Sequence, residues 1–153
     1  RPFFSDKRAS RQPVAGTVPR GMLKEDDSYF TGVVNNQYIG KNPRTVNEEL
    51  LRVGQRRYNT YCSPCHDQTG QGRGIVAQRA VWIPTNLQED RVKQFNDGEI
   101  YNVITQGRRT MPAYRYQVTE DDRWAIVAYV RALQRTTSAT MSDIPADQQA
   151  GLK

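Results

Sequence analysis

Apolar positions along the chain change their rhythm twice. Over residues 1 to 44 they follow neither a helical nor an alternating period, and Gly, Pro and charged residues are spread among them. That stretch predicts an extended, irregular arm. It still carries Phe3, Phe4, Tyr29, Phe30, Val33, Val34, Tyr38 and Ile39, more apolar surface than a disordered tail holds, so the arm is expected to lie against another surface. From Thr45 the period becomes helical. Leu50, Leu51, Gly54, Tyr58 and Tyr61 recur on one face, and Thr45 with Glu48 three residues on has the form of a capping box. A first helix is predicted to run from there into Cys62.

Two more helices follow from the same rule. One spans 97 to 106, with Ile100, Val103 and Ile104 on one face and Gly107 as its stop. The strongest begins at Thr119 as N-cap and places Glu120, Asp121 and Asp122 in its first turn, where the helix dipole favours acids. Trp124, Ile126, Val127, Val130 and Leu133 then form its apolar face, and it should end near Gln134. Gly54 on the first helix and Tyr129 on the last suggest a close crossing, an absent side chain receiving an aromatic one. Beyond 134 the chain is rich in Thr, Ser, Ala, Asp and Gln and predicts a polar tail. The expected organisation is an arm over 1–44, an all-α domain over 45–134 and a tail over 135–153.

Between the helices, Asp67-Gln-Thr-Gly70-Gln-Gly72-Arg-Gly74 sets three glycines at alternate positions. It predicts a tight loop and lacks the spacing of a phosphate-binding loop. The longest strongly apolar stretch, Trp124 to Val130, is far short of the ~20 residues of a membrane-spanning helix. No charged segment followed by an apolar one opens the chain, so an export signal is expected to have been removed or to lie outside these residues.

Composition sharpens the picture. Only 37% of the 153 residues are hydrophobic, so either much of the chain lies outside a core or something non-peptidic supplies apolar volume. The net charge of +6 comes from Arg and Lys scattered along the chain, which build no nucleic-acid motif. Such a surface suits an acidic protein partner or an anionic membrane face, and serves solubility equally well.

The chemistry is concentrated in one place. The chain has two cysteines and one histidine, and all three fall in Cys62-Ser63-Pro64-Cys65-His66. A C-x-x-C-H run is the attachment motif of c-type haem, whose two vinyl groups each accept a thiol. His66 is then the expected proximal iron ligand through Nε2, its Nδ1–H held by a backbone carbonyl, for which Pro84 is the candidate. Structural zinc would need a fourth ligand, and a dithiol redox pair would need an alternating strand–helix pattern; neither is present.

No second histidine can fill the sixth position. Of three methionines, Met22 falls in the arm and Met141 in the tail, whereas Met111 sits between two predicted helices. Pro112 restricts Met111 to extended conformations, which suits a loop residue aiming its thioether at iron. Thioether ligation favours the ferrous state and leaves no coordination site for substrate. Arg108 and Arg109 are placed to line an exposed edge, for docking an acidic partner or pairing with a propionate, or simply to be solvated. Tyr58, Tyr101 and Trp124 are expected in the pocket and core, not as redox relays.

Gly54-x-x-x-Tyr58, Cys62-x-x-Cys65-His66, Met111-Pro112 and Trp124-Ala-Ile-Val-Ala-Tyr129 together resemble class I cytochrome c, over about residues 45 to 134. The resemblance implies helices packed around one covalently bound haem c, with Cys62, Cys65, His66 and Met111 as its sites. A closer likeness lies in Phe3-Phe4-x-Asp6, in Arg11-x-Pro13-Val14-x-Gly16-Thr17-Val18-x-Arg20-Gly21 and in Tyr58 to His66. These resemble the monohaem cytochrome c subunit of bacterial alternative complex III. That resemblance implies a non-enzymatic electron-transfer subunit on the periplasmic side of a quinol-oxidising membrane complex, respiratory or photosynthetic. It would pass electrons to a downstream acceptor or terminal oxidase. Members of that family carry a lipidated N-terminal Cys, and no Cys precedes position 62 here. Membrane association is therefore expected through partner subunits, or through a lipid on residues outside this stretch. The competing expectations are a freely diffusing cytochrome c, and a haem-based sensor or enzyme whose Met ligand leaves.

Overall fold

A computed structural model of the chain describes residues 4–9, 14–20, 23–80, 82–149 and 151. Phe3, Arg11, Pro13, Gly21 and Met22, which entered the expectations above, lie outside the described residues. The chain is mainly helical. In order it forms α1 (Asp27–Thr31), a two-stranded antiparallel hairpin of β1 (Val33–Val34) and β2 (Gln37–Tyr38), α2 (Glu48–Tyr61), α3 (Ser63–His66), α4 (Ile75–Arg79), α5 (Asp90–Lys93), α6 (Asp97–Gln106) and α7 (Glu120–Thr136). A 3₁₀ turn (Met141–Asp143) and α8 (Ala146–Gln149) follow.

Two long helices, α2 and α7, make the frame. Gly54 lets them touch: a Cβ there would lie 2.1 Å from the Ala125 carbonyl oxygen and 2.9 Å from Tyr129 Cβ. The crossing expected from the sequence is therefore present. Between these helices and α6 lies a core of Tyr58, Ile100, Tyr101, Ile104, Val118, Trp124, Ile126, Val127 and Val130. The start of α2 differs from expectation. Its N-cap is Asn47, whose side chain accepts the Leu50 amide at 2.9 Å, and Thr45 lies upstream of the helix. Asn caps as well as Thr, and this start keeps Glu48 and Glu49 in the first turn. Asn47→Ala should cost about 1 kcal/mol in urea denaturation of the haem-loaded protein. Thr45→Ala should be neutral in the same assay.

The arm is not irregular throughout. Residues 4–9 and 14–20 are turns and irregular chain, exposed apart from Phe4. The stretch after Leu23 packs against the helices of the domain expected over 45–134. Asp26 caps α1 by accepting the Tyr29 amide at 3.1 Å, and Asn35 and Asn36, at φ 49° and 61°, make the hairpin turn. Trp124 Nε1 then donates to the Tyr29 carbonyl at 2.7 Å, Asn42 Nδ2 to the Trp124 carbonyl at 2.8 Å, and the Gly98 amide to the Ile39 carbonyl at 3.0 Å. Tyr29 also hydrogen-bonds Asp121, and burial with that carboxylate raises the phenol's pKa.

α7 runs to Thr136, two residues past Gln134. The tail is not featureless either, since Arg135 pairs with Asp143 and holds the 3₁₀ turn near the end of α7. Among the described residues, no helix is long and apolar enough to cross a membrane.

Candidate haem site

The site starts where α2 ends. Amides of Cys65 and His66 donate to the Cys62 carbonyl at 3.1 and 2.8 Å, winding Cys-x-x-Cys-His into the single turn of α3. Cys62 and Cys65 are not joined to each other in a disulfide. Cys62 faces a cavity yet is otherwise enclosed by protein, and burial pushes its thiol up to about 12.

Two segments hold His66. Its Nδ1 is 3.0 Å from the Thr85 carbonyl, so Nδ1–H donates there and the Nε2 lone pair is left for a metal. The Pro84 assignment is thus corrected by one residue. The Pro84 carbonyl oxygen instead lies close to Gly72, 2.6 Å from where a Cβ on that residue would be. Gly72, at φ +81°, is needed both for that approach and for its turn. Pro84 does line the cavity. Burial lowers the His66 pKa, against the opposing effects of the Thr85 bond and Asp67, which favours the neutral imidazole a metal requires.

Asp67 ties the next loop. Its carboxylate accepts the Thr69 amide and hydroxyl, each at 2.7 Å, the Gln71 amide at 3.3 Å and the Arg73 amide at 2.8 Å. Burial alone would raise its pKa, but these hydrogen bonds together hold it below the usual carboxylate value. Tyr58 donates to the Asp67 carbonyl at 2.9 Å, joining the loop to α2.

Met111 comes from the turn after α6. Arg108 and Met111 exchange backbone hydrogen bonds of 3.0 Å each way, and Arg109 at the bend has φ 54°. His66, Cys62 and Met111 border one cavity of about 330 Å³. Leu87, Val92, Phe95, Ile100, Val103, Ile104, Ile126 and Val130 give it apolar walls. Arg91, Arg108 and Arg109 are its cationic members. Arg108 pairs with Glu99 at 2.9 Å and lies 5.2 Å from the Phe95 ring centre. Cys65 borders a smaller adjoining space, together with Cys62, His66 and Met111.

Of the pocket and core expected for them, Tyr101 and Trp124 take the core and do not line the cavity. They stack on each other, centroids 4.1 Å apart and planes 19° from parallel, inside the core. Their polar ends explain the placement: the Trp124 indole and the Tyr101 hydroxyl hold the carbonyls of Tyr29 and Phe30, at 2.7 and 3.3 Å. Burial pushes the Tyr101 phenol up to about 12.

Two thiols, an imidazole poised neutral and a thioether around an apolar cavity suit an iron tetrapyrrole attached by thioether bonds. They do not suit zinc, since among the described residues no three His, Cys, Asp or Glu side chains cluster to hold an ion. The family described as cytochrome c oxidase, cbb3-type, subunit III matches residues 49–130, more than half of the chain. The chain belongs to that family.

As a cytochrome c it carries haem c covalently, with Cys62 and Cys65 in the attachment motif, and its domain serves haem-based electron transfer. Among solved structures it is similar to cytochrome cL from the marine methylotroph Methylophaga aminisulfidivorans MPT. The TM-score is 0.52 at 22% identity, covering 87% of this chain and 84% of that one. The helical arrangement is accordingly the class I cytochrome c fold. A chain of the Kuenenia stuttgartiensis reducing HAO-like protein complex Kustc0457/Kustc0458 is also similar, at TM-score 0.49 and 23% identity. There the match covers 60% of this cytochrome and 46% of the other chain, so it spans less than half of that relative. No curated protein sequence matches.

Sequence reasoning missed Thr85 and Asp67, and also Trp82, which lines the cavity and donates to Thr110 Oγ1. The two-residue spacing of Asp67 and Thr69 signals an Asx turn and was available. Nothing local marks Thr85 or Trp82, because their partners lie 19 and 28 residues away.

Proposed function

We infer that this cytochrome is a one-electron carrier with His66 and Met111 as the two axial ligands, working as a subunit of a quinol-oxidising membrane complex like alternative complex III. The observation that carries the ligand assignment is that His66 and Met111 border the same apolar cavity. Haem c, when bound, supplies the one-electron couple. The chain's residues do the rest. Cys62 and Cys65 anchor, the Thr85 carbonyl fixes the His66 ring, and the walls exclude water and so favour the less charged, reduced state. Arg91, Arg108 and Arg109 at the cavity offer charge for an acidic partner.

The complex assignment rests on the likeness of residues 3–21 and 58–66 to the monohaem subunit of alternative complex III. The family description, an oxidase subunit, supports a second reading in which the partner is a terminal oxidase. Either reading puts the chain on the periplasmic side of the membrane, held by partners or by an N-terminal lipid. Native purification from membranes separates them. Co-purification with iron–sulfur and polyhaem subunits is the expected result; co-purification with an oxidase core would favour the second reading. Recovery of all the cytochrome alone in the soluble fraction would establish a freely diffusing carrier. Deleting residues 1–20, which leaves the docked segment after Leu23 intact, should reduce its stoichiometry in the complex. Full stoichiometry after deletion would show that the arm has no role in assembly.

A further inference from the structure

One short loop reaches both sides of the cavity. Over residues 82–87, the Thr85 carbonyl holds His66, and the Leu87 amide is anchored to the Gly70 carbonyl at 2.7 Å. At the other end of the loop, Trp82 Nε1 donates to Thr110 Oγ1 at 2.7 Å, and Thr110 is the residue before Met111.

The turn that Trp82 grips is under strain. Arg109 holds a left-handed φ of 54°, a conformation that favours glycine, so the turn needs outside contacts to persist. Its base has them: Arg108 pairs with Glu99, and the Tyr114 amide donates to the Ile104 carbonyl at 2.9 Å. Its tip is exposed at Arg109 and Thr110, and Trp82 supplies the side-chain contact there.

We propose that the Trp82–Thr110 hydrogen bond is a clasp on the Met111 turn that sets how readily Met111 gives way to another ligand. Trp82 and Thr110 are positioning residues, acting through Met111. The proposal rests on the reading of Met111 as an iron ligand. Because the bond is reachable by water, its loss should open the turn only several-fold. The net strength of such a bond corresponds to a factor of about three to ten in the closed-to-open ratio.

The test uses the full, haem-loaded chain in the ferric state. Two readouts apply: the sulfur-to-iron charge-transfer band and the apparent affinity for added imidazole, which competes for the sixth position. Thr110→Val keeps the shape and removes the acceptor, Trp82→Phe removes the donor, and Thr110→Ser restores the hydroxyl. The expected result is a band in the parent, an imidazole affinity about three- to tenfold higher in Thr110→Val and Trp82→Phe, and Thr110→Ser close to the parent. A parent with the band and no change in Thr110→Val and Trp82→Phe overturns the clasp and leaves Met111 ligation standing. A rise as large in Thr110→Ser as in Thr110→Val also overturns it, since loosening of the loop would then not depend on the hydroxyl. A parent without the band overturns Met111 ligation and the clasp with it.

Discussion

Met111→Ala should convert a cytochrome closed to small ligands into one that binds carbon monoxide within the mixing time when reduced. Among the described residues that line the cavity, the Met111 thioether is the group suited to the sixth position. His66 is the chain's single histidine, and Met141 is more than half exposed in the tail. Met111→His should keep the position filled while exchanging a thioether for an imidazole. The ferrous state is then less favoured, and the midpoint potential should fall by on the order of 0.1 V or more, within the ~0.8 V range that axial ligands span. Potentiometric titration of Met111→His and carbon monoxide difference spectra of Met111→Ala read the two effects separately. An unchanged potential together with no carbon monoxide binding would remove Met111 from the coordination sphere.

Gly54→Ala should be the most damaging small substitution in the scaffold. The added methyl would sit 2.1 Å from a backbone oxygen of α7, and a helix backbone does not step aside as a flexible side chain does. The two longest helices would have to separate, at a cost of about 3 kcal/mol or more. That is a large part of the ~5–15 kcal/mol that holds a typical domain folded. Thermal unfolding of the haem-loaded protein should shift down by about 10 °C or more. Gly40→Ala is the control: no atom lies within 4 Å of its Cβ position, and its melting temperature should stay within about 2 °C of the parent. Equal shifts in the two variants would show that the crossing is not what Gly54 provides.

What could be read from the sequence was what is local or chemically unusual. Cys62, Cys65 and His66 announce themselves because the motif is contiguous. Thr119 and Gly107 mark helix ends by rules that act within one turn, and α6 and α7 begin and end within two residues of expectation. Thr45 misled because Asn47, two residues on, is an equally good cap, and it is the Asn47 side chain that accepts the Leu50 amide. The short elements of the arm past Leu23 were not legible for a related reason. A five-residue helix and a hairpin of two-residue strands are too short to show a period, although Asn35-Asn36 was a turn signal.

Tyr101 and Trp124 are expected in the pocket and core, and it is the core that takes them. The deciding fact is long-range: each has a polar end that satisfies a carbonyl on residues 29 and 30. Pro84 and Thr85 show the limit of resolution, since the segment was identified correctly and the carbonyl missed by one. Which of two consecutive carbonyls faces His66 depends on how closely Gly72 lets the loop approach, and that is settled by the fold.

Carbon monoxide added to the untreated, reduced protein at neutral pH tests the closed electron-transfer site most directly. If His66 and Met111 fill both axial positions, the spectrum is unchanged on mixing. Prompt formation of a carbon monoxide adduct would contradict it and mark the cavity as an open site for ligand or substrate.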